Sequence, residues 1–351
     1  MAESAPTANL AGLPVRNIDH NPLRILQRCS EEGRPAFIAG PMVRYSKLPF
    51  RELVRDYSCD IVYSPMILAR EFVRNGFARD SDFSTNEKDR SLIVQIGTNN
   101  TEDLLRMVEM IHPYVDGIGL NCGCPIKEQI REGIGAALMS QPDKVAEMVK
   151  AVKHVYGDKI CLEVKIRVHA DVSETVAFAK KIEAAGVDFI TVHGRTKNTR
   201  SSEAADFDKI KAVKEAVSCP VVANGDCRSL EDAIRISKYT GCEGVMSVRG
   251  ILSNPALYSG FEKTPWGAVE KFWDLSTAYG LPFRLVQHHL SCMLDGQLPR
   301  KTHILMNELK SFVQLIEFFD KTFDLKRRGD PGFGTRVAVP FRQDRESSAH
   351  I

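Results

Sequence analysis

Short apolar runs rich in Val and Ile recur along the chain: AFIAGPMV from Ala36, IVYSPMI from Ile61, LIVQIGT from Leu92, GIGLNCG from Gly117, ICLEVKIRV from Ile160, FITVHGRT from Phe189, PVVANGDC from Pro220 and GVMSVRG from Gly244. Their starts lie 24 to 43 residues apart, close to the ~30 residues that a strand and its crossover helix require. The runs are apolar almost throughout rather than alternating, the pattern of strands buried on both faces in a parallel sheet. The segments between them read as helices. In QPDKVAEMVKAVKHVY, Val145, Met148, Val149, Val152 and Val155 fall on one face, and Ser140 with Asp143 around Pro142 predicts a capped start. Ser229 and Asp232 predict another after the seventh run. Eight strand and helix units in a row predict an α/β protein, a closed (β/α)8 TIM barrel, over residues 21–262. The alternative, a doubly wound open sheet, lacks a Gly-x-Gly-x-x-Gly turn after its first strand.

After residue 262 the pattern turns all-helical. Ala268 to Tyr279, Pro282 to Leu294 and Lys301 to Phe319 carry apolar residues at spacings of three and four, which predicts a smaller helical domain over 263–320. Residues 321–351 are polar, rich in Gly and Pro and without period, and are expected to form a flexible tail; residues 1–20 read likewise as a flexible start.

Composition narrows the class. The chain is 43% hydrophobic and 26% charged, the profile of a globular protein. No apolar run approaches the ~20 residues that cross a bilayer, and the first 16 residues lack a charged start followed by an apolar stretch. A membrane partner is therefore not expected. Nine cysteines, an odd number, with Cys161, Cys219 and Cys242 beside strand-like segments, favour a reducing compartment, the cytoplasm or the nucleus. The net charge of +2 neither announces nor excludes a nucleic-acid partner.

Active sites of such barrels lie at the carboxyl ends of the strands. Here those ends carry Pro41 and Met42, Gln95, Asn121 to Pro125, Lys165 and Arg167, His193 to Thr196, Asn224 to Asp226, and Arg249 with Gly250. Gly225 and Gly250 would let backbone approach an anion, and Arg249 offers a charged fork, so a cofactor with a phosphate tail, such as FMN, suits the last two loops. Simple strand termination is the other reading of these glycines. The longest gap follows the fourth run and starts at Cys124, which would stand over the barrel mouth. Zinc is not expected, because no second Cys or His cluster accompanies the Cys122/Cys124 pair. Cys122 reads as an inert buried thiol. Lys165, inside an apolar strand, wants an anionic partner, either as a Schiff-base lysine or facing the pyrimidine end of a reduced flavin. His193 reads as a satisfied core histidine or a ligand contact, and Gln95 as a donor to a flat heterocycle.

NCGCP at 121–125, the Lys165 strand, HGRT at 193–196 and NGD at 224–226 together resemble the tRNA-dihydrouridine synthases over roughly residues 36–260. The segment from Lys127 to Leu138 and the ending VMSVRGILSNPAL look most like the eukaryotic branch acting at tRNA positions 20a and 20b. The resemblance implies an FMN enzyme driven by NADPH that reduces the C5–C6 double bond of uridine in the tRNA D-loop. It makes Cys124 the acid that protonates C5 while hydride reaches C6 from the flavin face. Pro41, Met42, Gln95, Lys165, His193, Asn224, Gly225, Asp226, Arg249 and Gly250 would line the FMN, and Asn121 would lie between flavin and uracil. Lys127, Arg131 and Arg195 are the nearest basic candidates for tRNA; Lys197, Arg200, Arg284, Arg300 and Lys301 are further ones.

Two departures qualify the match. Val248 stands where the family pattern Met-Ile-Gly-Arg-Gly has a glycine, and only three helices read clearly in the carboxyl-terminal domain where a fourth is expected. Two other functions therefore stay open at this level: an FMN barrel acting on a free pyrimidine, and an RNA-binding protein that has lost the cofactor. The oligomeric state is not legible.

Overall fold

The computed structural model describes residues 18–342. The expected flexible start (1–20) therefore lies outside the described residues up to position 17, as does the expected tail from position 343.

Eight parallel strands form the barrel: β1 (Ala36–Ala39), β2 (Ile61–Tyr63), β3 (Leu92–Gly97), β4 (Gly117–Asn121), β5 (Cys161–Arg167), β6 (Phe189–His193), β7 (Val221–Asn224) and β8 (Gly244–Ser247). Each pairs with the next, and β8 returns to β1 through Phe37 opposite Val245, which closes the sheet and leaves no edge. A further two-residue strand, Ile67–Leu68, pairs with the end of β3 at the mouth.

The apolar runs make two cores. The larger lies between the strands and the surrounding helices; the smaller fills the barrel with Ile38, Ile61, Tyr63, Ile93, Phe189, Val222 and Met246. Helix Pro22–Glu31 plugs the amino end with Ile25, Leu26 and Cys29. It starts where Asn21 accepts a 2.9 Å hydrogen bond from the Leu23 N–H and Pro22 occupies the first turn. The predicted Ser229 cap forms, accepting from the Asp232 N–H at 3.1 Å. The one expected at Ser140 does not. Helix Pro142–Tyr156 starts from Gln141, and the Ser140 hydroxyl donates back to the Ala137 carbonyl at 3.0 Å.

Beyond the barrel the described residues form four helices where three read clearly from the sequence: Trp266–Ala278, Phe283–Met293, Arg300–Glu308 and Phe312–Thr322. The segment read as one helix from Lys301 to Phe319 breaks at Leu309. There Ser311 caps the next helix by accepting from the Gln314 N–H, while Gln314 Oε1 accepts from the Lys310 N–H at 2.6 Å. The domain docks on helix Leu48–Arg55 and the loop before it through Lys271 to Asp56 (2.8 Å), Tyr279 to Glu52 (2.7 Å) and His289 to the Tyr45 carbonyl (3.2 Å).

The flexible tail expected from residue 321 is corrected for residues 321–342. Residues 321 and 322 complete the fourth helix, Phe323 is fully buried against Trp266 and Phe319, and Phe323 pairs with Phe341. Glu270 holds this segment down. Its carboxylate is fully buried and accepts from Trp266 Nε1 (2.9 Å), the Lys326 N–H (3.1 Å) and the Gly334 N–H (2.8 Å). The missing periodicity reflects irregular backbone satisfied by tertiary partners, not absence of packing.

Candidate active site

The carboxyl ends of the strands surround a cavity of about 370 Å3. Its wall includes Pro41, Gln95, Asn121, Cys124, Lys165, His193, Asn224, Gly225, Asp226, Arg249 and Gly250, so most of the expected site residues converge here. Met42 does not. It is buried in the outer core, and its N–H donates to Ser46 Oγ at 2.9 Å in the turn after β1. Lys127 and Arg131 also stand apart, on the exposed short helix Lys127–Arg131. Sequence reasoning placed Arg167 at a strand end without giving it a role and left out Arg228, Thr199, Ser201 and Met66, though all line the cavity. Arg167 was within reach of it, since two residues after Lys165 on a strand is the same face.

Asn121 organises the reactive loop. Its Oδ1 accepts from the N–H groups of Gly123 (3.0 Å) and Cys124 (2.9 Å), and its Nδ2 donates to Gln95 Oε1 at 2.8 Å. Arg167 Nε donates to the Gly123 carbonyl at 2.6 Å, and the Ala136 N–H to the Cys124 carbonyl at 2.9 Å. Gly135, at φ +63°, allows that close approach; a Cβ there would stand 2.7 Å from the Cys124 oxygen. Cys124 is thus held over the cavity. Burial pushes its thiol pKa up despite Arg167 and Lys165, so it carries its proton at neutral pH. Cys122 is fully enclosed in the outer core, where burial raises its thiol further.

Lys165 Nζ donates to Asn224 Oδ1 at 3.0 Å, and Asn224 Nδ2 donates to the Met246 carbonyl at 3.0 Å. Burial and then Arg167 push the Lys165 pKa down. One turn of the pleat deeper on β5, Glu163 points into the barrel with no exposure. The Tyr63 and Thr191 hydroxyls face its carboxyl without completing hydrogen-bond geometry, and burial raises its pKa. A Cβ at position 119 would press on Glu163 Oε2 and force the buried carboxyl to shift.

The other end of the cavity is cationic. Arg195 Nη2 meets both Asp226 oxygens at 2.6 Å and also donates to the Glu203 carbonyl, while Arg249 Nη2 reaches Asp226 Oδ1 at 3.0 Å. Arg195, expected to face tRNA, is instead 4% exposed inside this end. Burial pushes the His193 pKa down to about 2, reinforced by Lys165, Arg167, Arg195 and Arg249, so the ring is neutral. Val248 has a negative φ of −124°, outside the left-handed region that favours glycine.

A flat heterocycle with a phosphate tail fits these groups. Gln95 Nε2 is a buried donor without a partner, Lys165 supplies a cation, and Gly225 and Gly250 leave no room for a Cβ beside Ala205 and the Cys227 carbonyl respectively.

The chain matches the description "Dihydrouridine synthase (Dus)" over residues 37–347. It belongs to the dihydrouridine synthase family. A Saccharomyces cerevisiae protein named tRNA-dihydrouridine(20a/20b) synthase (NAD(P)+) is 57% identical over 329 residues, 92% of this chain and 89% of that one. The Schizosaccharomyces pombe protein of the same name is 48% identical over 323 residues, covering 92% and 98%. A human protein named as like this synthase is 42% identical over 287 residues, covering 82% and 90%. Among solved structures, a 2-naphthoyl-CoA reductase complex shares the barrel fold at TM-score 0.51 and 10% identity, over 64% of this chain and 49% of that one. Among the described residues no helix is long and apolar enough to cross a membrane, and no cluster of His, Cys, Asp or Glu could hold a metal ion.

Proposed function

We propose that the chain is a tRNA-dihydrouridine synthase that uses FMN and NAD(P)H to reduce the C5–C6 double bond of uridine at positions 20a and 20b. The observation that carries this reading is the Cys124 loop, fixed by Asn121 at the wall of a cavity that Gln95 and Lys165 also line.

FMN, when bound, supplies hydride chemistry at its ring. Gln95 and Lys165 would hold its polar edge, with Lys165 kept in place by Asn224 and countering negative charge there. Gly225, Gly250, Arg228 and Arg249 would hold the phosphate at the strand β7 and β8 ends. Neutral His193 offers a ring nitrogen without a further charge. Cys124 holds the proton that C5 needs as C6 is reduced; a group with its pKa above neutrality keeps that proton until the carbon becomes basic. The target uridine must leave the RNA stack to enter the cavity, which costs a few kcal/mol. Arg167, beside the reactive loop, and the surface charges Lys127 and Arg131 are available to its phosphates.

The features that left a cofactor-free RNA binder open no longer favour it: Val248 lies outside the left-handed backbone region, and the fourth helix is present. The nine free thiols support a reducing compartment, the cytoplasm or the nucleus. The test is direct. Purified protein should show flavin absorption bands that bleach with anaerobic NADPH, and should convert unmodified tRNA to product with a mass gain of two hydrogens at 20a and 20b. Protein that takes up no FMN, or a reduced enzyme that leaves tRNA unchanged, refutes the reading.

A further inference from the structure

A second cavity, of about 780 Å3, opens on the same face of the barrel, between the segments that follow β4, β5 and β6. The two cavities share one lining residue. Arg167 lines both, with Nε donating to the Gly123 carbonyl at 2.6 Å and Nη1 to the Thr196 carbonyl at 3.0 Å, so its side chain is pinned to backbone on each side. The second floor is apolar, made by buried Met139, Val168 and Phe178. His169, beside it, is committed through both ring nitrogens, to Thr175 Oγ1 (3.2 Å) and the Met139 carbonyl (3.0 Å). The rim bears exposed Lys197 and Lys181, the latter paired with Asp143, against one lining carboxylate, Glu174. An apolar floor, Lys197 at the rim and a fixed guanidinium at the boundary suit a nucleobase on its phosphate backbone.

We propose that this cavity receives the nucleotide adjoining the target uridine, an inference that rests on the function proposed above. An enzyme acting at two consecutive uridines must bring each in turn to Cys124. The other uridine is then one nucleotide away, and the cavity beyond Arg167 adjoins the catalytic one. A strand has direction, so the second cavity lies either 5′ or 3′ of the catalytic one. It therefore accepts the partner uridine in only one of the two registers, and it discriminates between 20a and 20b.

The test fills or recharges the cavity without touching the catalytic one. Ala177 is exposed on the helix that forms one wall, so Ala177→Trp adds bulk without entering the core, and Lys197→Glu reverses the rim charge. Wild type and both variants are assayed on tRNAs carrying a single uridine at 20a or at 20b, with the rate of flavin reduction by NADPH as a measure of intact fold. The expected result is a change of about tenfold or more in the ratio of kcat/KM at the two positions, with flavin reduction unchanged. An unaltered ratio in Lys197→Glu, or an equal loss at both positions, overturns the proposal. So does a rise in the NADPH requirement at constant ratio, which would assign the cavity to the nucleotide cofactor. Wild-type enzyme that forms dihydrouridine at neither position would instead refute the proposed function itself.

Discussion

Replacing Asp226 by Asn isolates the charge that organises the cationic end of the cavity. Asp226 stands at φ +45°, a left-handed backbone that Asn tolerates nearly as well as Asp, so the substitution adds little backbone strain. What it removes is the anion between two guanidinium groups. The Arg195 side chain is 4% exposed, Asp226 25% and Arg249 47%. Breaking a fully buried ion pair costs about 3–5 kcal/mol, while an exposed one is worth about 0–1 kcal/mol. With a buried arginine, a quarter-exposed carboxylate and a largely solvated second arginine, the expected loss is about 2–3 kcal/mol, near the low end of the buried range after solvent screening. Urea unfolding should show the midpoint fall by that amount of free energy, and the melting temperature should drop by roughly 5 °C. The pH dependence gives a second check. Burial alone would raise the Asp226 pKa, but hydrogen bonding and charge from Arg195, the Ala205 N–H and then Arg249 bring it below the ordinary value. The carboxylate therefore stabilises the fold fully above the unfolded pKa of about 3.9. That contribution is lost as pH falls through the depressed folded pKa, so wild type and Asp226→Asn should converge in acid. A variant within about 0.5 kcal/mol of wild type at pH 7, the range of an ordinary surface substitution, would refute the buried-pair argument.

Cys124→Ala should keep bound flavin and its reduction by NADPH, while dihydrouridine formation measured by mass spectrometry falls by about 10²–10⁴. Because burial raises the Cys124 pKa, turnover should decline as pH rises through that value and the donor proton is lost; a rate that climbs there would speak for a thiolate instead. Glu270→Ala removes the acceptor of one buried and two part-buried donors, and at about 1–3 kcal/mol for a buried unsatisfied group and less for the others it should destabilise the fold. Trypsin cleavage around Lys326 to Arg328 should accelerate with it, and unchanged proteolysis would show that Glu270 does not pin the segment. Gly119→Ala drives a methyl into Glu163 Oε2 and should cost about 1–3 kcal/mol in denaturant unfolding, a loss that an open barrel interior would not show.

The two levels of information divide along physical lines. Hydrophobic period is a local property, and the eight runs from Ala36 to Gly244 each became a barrel strand because a run apolar on both faces can be satisfied only inside a two-layer sheet. The position of Cys124, Lys165, His193 and Asn224 at strand ends followed from the same period, and the closed barrel then had to gather them. The fourth helix was written in the chain as Ser311 and Gln314, a capping signal passed over because the apolar spacing runs across it.

Other features depend on partners far apart in sequence. Met42 reads as a strand-end residue like Pro41, yet the Ser46 turn sends it into the outer core. Arg195 reads as a surface base, yet Asp226, 31 residues on, draws it inside. The segment from 323 to 342 has no period of its own and is ordered by Glu270, 64 residues before Gly334. Which segments are strands and helices, and which chemistry the strand ends carry, is readable from the chain because period and residue type are local properties. Which charges face the cavity, that Arg167 lines two cavities at once, and that the carboxyl-terminal segment packs all emerge with the folded chain, because each depends on burial and on pairing between groups distant in sequence.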